Sequence, residues 1–318
     1  MAMERLAVVT GGAGFIGSHL VEALISRGFK VRVIDNLVTG FESNLPRDSS
    51  RYEFHRVDVC DANRVRDLVA GASCVFHQAA LASVPMSLER PLEVNRVCVE
   101  GTLAMLQAAR ANGVKRFVYA ASSSCYGDSE YSAKRETDQL QTLSPYAAAK
   151  LAGEHYCRAY FHSFGMETVC LRYFNVFGPR QDPNSPYSAV IPLFITAILT
   201  GQRPRVYGDG QQSRDFTYVA NVVEGNLLAM QAEGVGGRVF NMADGRSISL
   251  LQLLDLLGKL LGKTVLPEFL PPRAGDVRDS KADIAAAVRD LGYVPPVDFG
   301  DGLARSIDYY RQSVLTNR

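Results

Sequence analysis

A chain of 318 residues, 47% of them apolar, is long enough to bury one large core or two modest ones. Its 34 Lys and Arg nearly balance 33 Asp and Glu, so no overall field attracts polyanions, and neither a basic nucleic-acid stripe nor a polybasic membrane anchor is visible; the expected partners are small molecules. Six cysteines without CxxC spacing, mostly in apolar runs, speak against a zinc site or a disulfide framework and read as reduced core thiols.

The chain starts MAMERLAVVTGGAG, without the apolar stretch and small-residue cleavage site of a secretory signal, so a cytoplasmic protein is expected. Apolar, β-branched runs follow at Leu6 to Val9, Val31 to Ile34, Cys74 to His77, Phe117 to Tyr119 and Thr168 to Leu171. Between them the helical period runs through Ile16 to Arg27, Asn63 to Ala70, Gly101 to Asn112 and Tyr146 to Phe164. This alternation predicts βαβ units: an α/β fold with a doubly wound parallel sheet of the Rossmann type. After Phe177 the texture changes to loops and short pieces. Proline in LPEFLPPRAGD and GYVPPVDFGDG argues against regular structure there, while SLLQLLDLLGKLLG from Ser249 is too short and too charged to span a bilayer and reads as an amphipathic helix. The expected division is a nucleotide-binding domain over 1–174, with a return segment near 212–242, and a smaller α+β substrate-binding domain over 175–318.

Gly11, Gly14 and Gly17 in TGGAGFIGSHL lie between the first strand and the first helix. Glycines at these places give a tight turn, let backbone approach a pyrophosphate and allow close packing, and the helix N-terminus offers N–H donors. Asp35 ends the second strand, where a carboxylate binds both ribose hydroxyls and repels a 2′-phosphate; this favours NAD over NADP.

Tyr146 and Lys150 stand at i and i+4 and share one helix face. A tyrosine with a pKa of about 10 is a poor base at neutral pH. A neighbouring ammonium and the positive nicotinamide of bound NAD would favour its phenolate. Ser122 and Ser124, at the C-terminal end of a strand, could orient a substrate alcohol against it, so the set describes an alcohol-oxidising site.

GGAGFIGS, the serine-rich strand end, YxxxK and LRYFNVFGPRQDP together resemble the extended short-chain dehydrogenase/reductases that act on nucleotide sugars, over essentially the whole chain. HQAALASVP, YAASSSCYGD, RQDPNSPYSAVIP and RAGDVRDS make it most similar to the UDP-hexose 4-epimerases, in particular the branch acting on N-acetylated sugars. The resemblance implies a catalytic triad of Ser122, Tyr146 and Lys150. It implies NAD held by Gly11, Gly14, Phe15, Ile16, Gly17, Asp35, Asn36, Asp58 and Val59, with Gln78, Ala79 and Ala80 along the nicotinamide. For a UDP-sugar it implies Asn175, Arg214 and Arg273 at the diphosphate, Asp276 at the uridine ribose, Tyr207 stacked on uracil, and Ser83, Ser124, Tyr146, Ala189, Val190 and Ser280 along the substrate. No metal is implied, and a homodimer formed through the helices around Gly101 and Tyr146 is. The reaction implied takes the 4-hydroxyl of the sugar to a transient ketone and back with inversion.

One departure concerns Cys98, which stands where the family has asparagine, three residues before the Gly101–Thr102 pair. Asn95, one helical turn earlier, is the expected partial substitute. Sister activities stay open. Dehydratases of the family carry an Asp-Glu pair directly after the catalytic hydroxyl residue, and decarboxylases a glutamate at the second of those places; here they are Ser123 and Ser124. A reductase that releases its cofactor and a catalytically idle NAD sensor are the remaining alternatives. Ser280 aligns with a gate beside the sugar's 2-substituent, where a serine leaves room for an acetamido group; it could equally cap the helix read in KADIAAAVRDLG.

Overall fold

The computed structural model describes residues 5–129, 131–183, 189–272 and 277–316. Five strands and their helices form in chain order where apolar β-branched runs alternate with helical periods. These are β1 (Leu6–Thr10), α1 (Phe15–Ser26), β2 (Lys30–Asp35), β3 (Tyr52–Arg56), α2 (Ala62–Val69), β4 (Cys74–His77), α3 (Val84–Glu89), α4 (Pro91–Asn95), α5 (Gly101–Ala111) and β5 (Arg116–Ser122). Then come α6 (Pro145–Phe164), β6 (Thr168–Tyr173), β7 (Val176–Phe177), α7 (Val190–Leu199), β8 (Arg205–Tyr207), β9 (Ser213–Arg214), β10 (Thr217–Tyr218), α8 (Val219–Gln231) and β11 (Arg238–Met242). The chain closes with β12 (Ile248–Ser249), α9 (Leu250–Leu261), β13 (Glu268–Leu270), β14 (Asp279–Ser280), α10 (Ala285–Leu291) and α11 (Phe299–Thr316).

The main sheet has seven strands in the order β3-β2-β1-β4-β5-β6-β11, and every neighbouring pair is parallel. Both faces are covered, so β4 and β6 are buried at every position and read as unbroken apolar runs rather than alternating ones. One core cluster packs Leu20, Leu24 and Val222 on one face; the other packs Val65, Met105 and Tyr119 on the opposite face. A third joins α7, α9 and α11 through Ile195, Leu254 and Ile307. The strand order reverses at β1, and ligands of open α/β sheets bind beyond the carboxyl ends of the strands at such a point. There the turn after β1 meets the turn after β4: a Cβ on Gly11 would lie 2.8 Å from the backbone N of Ala79.

Tyr146 and Lys150 ride on α6. Ser144 caps it by accepting from Ala147 N at 3.2 Å, Pro145 sets the first turn, and Gly165 ends it in the left-handed region at φ 66°. Gly153 lets this helix touch β5: a Cβ there would fall 2.2 Å from the Tyr119 hydroxyl.

Three expectations change. β13 forms between Pro267 and Pro271, because the prolines flank it and Glu268 N donates to Pro204 O at 2.8 Å. The helix predicted from Gly101 continues upstream through a π-type turn at Arg96–Glu100 into α4. Ser280 lies in β14 and caps nothing: α10 starts at Ala285, whose N–H goes to the Asp283 carboxylate at 2.9 Å.

Candidate active site

A single cavity of about 1210 Å³ runs across the carboxyl ends of the strands and gathers residues far apart in sequence. At the β1 end it is lined by Gly11, Gly14, Phe15, Ile16 and Gly17, then by Asp35 and Asn36 after β2 and by Asp58 and Val59 after β3. Gln78, Ala79, Ala80 and Ser83 follow β4; Ser122, Ser124, Tyr146 and Lys150 stand beyond β5; Asn175, Ala189, Arg214 and Ser280 line the far wall. Val190 packs its side chain into the third core cluster instead, because it opens α7 on that helix's inner face. Tyr207 sits half-buried on β8, outside the cavity lining. Arg273 and Asp276 lie outside the described residues.

The glycine turn has the shape of a dinucleotide cradle. A Cβ on Gly17 would stand 2.1 Å from Gly11 O, so the turn closes only with glycine, and Gly11 itself has φ 64°. The first turn of α1 carries no acidic residue and no side-chain cap, leaving its N–H groups for an anion. Asp35 is 7% exposed and accepts from Ala13 N at 3.0 Å and Leu37 N at 2.8 Å. Burial raises its pKa, the two N–H groups counter this, and its remaining lone pairs border the cavity. Asp58 is held by Cys60 N at 2.9 Å and Arg96 at 2.6 Å. Glycine cradle, open helix terminus and a carboxylate at the end of β2 fit NAD.

At the other end of the cavity, the Ser122 and Ser124 hydroxyls lie 2.9 Å apart, and Ser122 Oγ also accepts from Ser124 N at 3.2 Å. Ser122 and Tyr146 line the same end of the cavity. Lys150 Nζ donates to Ala120 O at 2.8 Å and stands 5.1 Å from the centre of the Tyr119 ring. Burial pushes the Tyr146 phenol well above its usual pKa, and the nearby Ser122 hydroxyl offsets only part of that. Burial likewise lowers the Lys150 pKa. Burial thus works against the phenolate that the neighbouring ammonium and bound NAD are expected to favour, and Lys150 directs one donor at Ala120 O.

Sequence reasoning missed the groups that hold these residues. Gln78 is oriented by Tyr173 Oη at 3.0 Å and Asn226 Oδ1 at 3.1 Å. Behind the serine turn, Arg172 and Glu154, each with a side chain 2% exposed, form a forked pair at 2.9 and 2.7 Å; Arg172 also donates to Tyr126 Oη at 2.8 Å, which donates to Asn241 Oδ1 at 2.7 Å. This pair locks α6 to β6, and Glu154 carries the signal that could have found it, because it continues the Tyr146, Lys150 spacing by another four residues.

His77 is fully buried between two threonines. The Thr102 hydroxyl donates to Cys98 O at 2.7 Å, so its oxygen accepts from His77 Nε2 at 3.0 Å; the bare Nδ1 then accepts from Thr10 Oγ1 at 2.7 Å, which itself accepts from Ala79 N at 3.2 Å. Burial, with Lys150 adding to it, lowers the His77 pKa to about 3. Cys98 is buried with Leu81, Val94 and Ala149, against Tyr146 and Ala80. Asn95 faces solvent and does not stand in for the family's asparagine, because the π-type turn that follows it rotates Cys98 inward instead. All six cysteines are free thiols, five of them buried. Among the described residues there is no metal-binding cluster and no helix long and apolar enough to cross a membrane.

Residues 7–243 match the family model described as the NAD dependent epimerase/dehydratase family. Over 96% of this chain and 98% of its own length, the UDP-glucose 4-epimerase of Mycolicibacterium smegmatis is 36% identical. A dTDP-glucose 4,6-dehydratase of Streptomyces griseus is also 36% identical, over 98% of this chain and 95% of its own. Among solved structures, UDP-N-acetylglucosamine 4-epimerase from Methanobrevibacter ruminantium M1, in complex with UDP-N-acetylmuramic acid, superposes with a TM-score of 0.93 at 38% identity, covering 98% of this chain and 99% of that one. With the glycine cradle, the Ser-Tyr-Lys set and these matches along nearly its whole length, the chain belongs to the NAD-dependent epimerase/dehydratase family, as an enzyme of the extended short-chain dehydrogenase/reductases.

Proposed function

We propose that this enzyme is a UDP-hexose 4-epimerase, acting on UDP-N-acetylglucosamine and UDP-N-acetylgalactosamine and also on UDP-glucose and UDP-galactose. The observation that carries this reading is the convergence of Ser122, Tyr146 and Lys150 on one cavity in which the residues after Ser122 are serines. Eliminating water needs a positioned acid and base next to the reacting carbons, and Ser123 and Ser124 supply neither. Bound NAD would take up and give back the two electrons at the sugar's carbon 4.

The remaining work falls to the chain. Residues 1–174, with 212–242, hold NAD: the N-terminus of α1 takes the pyrophosphate, Asp35 the adenosine ribose, and Gln78 to Ala80 the nicotinamide side. Residues 175–318 mainly hold the UDP-sugar, with Asn175, Arg214 and Arg273 at the diphosphate, Asp276 at the uridine ribose and Tyr207 at uracil. The Ser122 hydroxyl holds the substrate alcohol on the Tyr146 phenol, Ser124 borders the sugar, and Tyr146 takes the 4-hydroxyl proton and returns it. Epimerisation needs no net proton release, in keeping with the carbonyl of Cys98 being closed off by Thr102. Ser280, on the cavity wall, leaves space for an acetamido group. A homodimer through α5 and α6, in the cytoplasm, completes the reading.

Product analysis with four UDP-sugars, glucose, galactose and their N-acetyl forms, tests it. Interconversion at carbon 4 without loss of water or carbon dioxide is expected; a 6-deoxy-4-keto or pentose product overturns it.

A further inference from the structure

Asp215 is fully buried beside Arg214, yet no step described so far uses it. Its Oδ1 accepts from Asp244 N at 3.0 Å, and its Oδ2 accepts from Gly245 N at 3.1 Å and Ala282 N at 3.1 Å. Those donors come from two separate segments, the loop after β11 and the chain just after β14. β14 is short and pairs with β9 through Asp279↔Ser213 and Ser280↔Arg214; on its other side Lys134 N donates to Lys281 O at 2.8 Å and Asp283 N to Lys134 O at 2.9 Å, and Asp215 supplies the contact that ties this segment to the loop after β11 beside Arg214. Removed from water, the carboxylate is strained toward protonation, its pKa raised to about 7 by burial and less by the Asp244 carboxylate, while the three N–H groups oppose the shift.

A carboxylate in this place is costly, and the geometry says why it is used. Three N–H donors converge on two oxygens that must both be acceptors. An amide offers one oxygen: turned toward Gly245 and Ala282, it sets its own NH2 against Asp244 N; turned the other way, it loses both of the former. Only the ionised acid closes the fork.

We infer that Asp215 is a positioning residue for substrate binding: by clamping the segments after β11 and β14 onto β9, it sets Arg214 and Ser280 against each other across the substrate wall of the cavity. This rests on the reading of that wall as the UDP-sugar site. The NAD end, at β1 and β2, lies four and five strands from β11 in the main sheet, while β9 and β14 belong to a separate three-stranded sheet, so the clamp does not touch it.

Asp215→Asn tests the inference. NAD content and kcat should stay within about twofold of the unaltered enzyme, while KM for the UDP-sugar and Kd for UDP measured by calorimetry rise at least about tenfold, the scale of a lost hydrogen bond to a charged group. Unchanged KM and Kd overturn the inference, and so does a fall in kcat and NAD content in step with KM, which marks a role in folding alone. If the variant does not fold, amide exchange in the unaltered enzyme decides. UDP should slow exchange at 243–246 and 280–283 together, and no change there on saturation with UDP overturns the clamp. Failure of the unaltered enzyme to bind UDP at all would instead remove the UDP-sugar reading, which keeps the two outcomes apart.

Discussion

His77 ties stability to pH through one buried ring, and replacing it with glutamine exposes the link. The imidazole is neutral, its Nδ1 accepting from Thr10 and its Nε2 donating to Thr102, and a second proton on Nδ1 would turn the buried Thr10 hydroxyl hydrogen away from the acceptor it now uses. Its pKa falls from 6.5 to about 3 on folding, so the unfolded chain binds the proton first as pH drops. The associated stability is fully present above 6.5 and is lost progressively as pH falls toward 3. At one pKa unit per 1.36 kcal/mol, the loss from pH 7 to pH 5 is about 2 kcal/mol, approaching roughly 5 kcal/mol at the acid limit. Asp215 acts in the opposite sense: its pKa is raised to about 7, so its burial penalty is relieved on acidification. That contribution is common to both proteins and cancels in the comparison. His77→Gln keeps an acceptor and a donor in the ring's place while removing the titration. Urea unfolding of both proteins at about pH 7 and pH 5, at fixed NAD concentration, should show the stability gap shifting by about 2 kcal/mol in favour of the variant at the lower pH. Parallel pH dependences would refute the buried neutral histidine.

Other outcomes follow from the same geometry. Tyr146→Phe should cut epimerisation at least about a hundredfold, the scale of a lost general base, with NAD still recovered from denatured protein; wild-type turnover would remove Tyr146 from its role, and recovery of NADP instead of NAD would overturn the Asp35 reading. Gly17→Ala places a Cβ 2.1 Å from Gly11 O and should abolish cofactor retention, measured as bound NAD per protein. Glu154→Gln leaves the Arg172 guanidinium buried without its counter-charge and should cost about 3 to 5 kcal/mol in urea unfolding. Ser280→Tyr should abolish turnover of the N-acetylated sugars and spare the plain hexoses; equal loss on both would remove the gate.

The cofactor end was legible because its chemistry is local. The glycines that a pyrophosphate needs fall within seven residues of one turn, and Asp35 is fixed by the end of β2, so periodicity and spacing suffice. The main sheet was legible for a related reason: strands buried on both faces are unbroken apolar runs. β3 and β11 escaped notice because they lie at the sheet's two edges, where Tyr52 to Arg56 reads half polar and Arg238 to Met242 follows a long excursion through other elements. The positioning groups were illegible for a deeper reason. Arg172, Asp215 and His77 carry no local pattern, and their partners stand 18, 67 and 25 residues away, joined only once the chain has folded.

The same distinction separates the residues of the catalytic set from its reactivity. Spacing places Tyr146 beside Lys150, but spacing cannot say which of two opposed effects governs the phenol. Burial, which the fold imposes, raises its pKa; positive charge lowers it, and Lys150 has already committed a donor to Ala120 O. Under the proposed function, burial favours the protonated phenol in the protein alone, and the positive charge of bound NAD⁺ would favour the phenolate that a general base requires. Titration of the tyrosinate absorbance, comparing Tyr146→Phe with the unaltered enzyme, should show the Tyr146 transition moving to lower pH when NAD⁺ is bound and not when NADH is. An equal shift with both would mean that exclusion of water or direct contact, rather than charge, tunes the phenol.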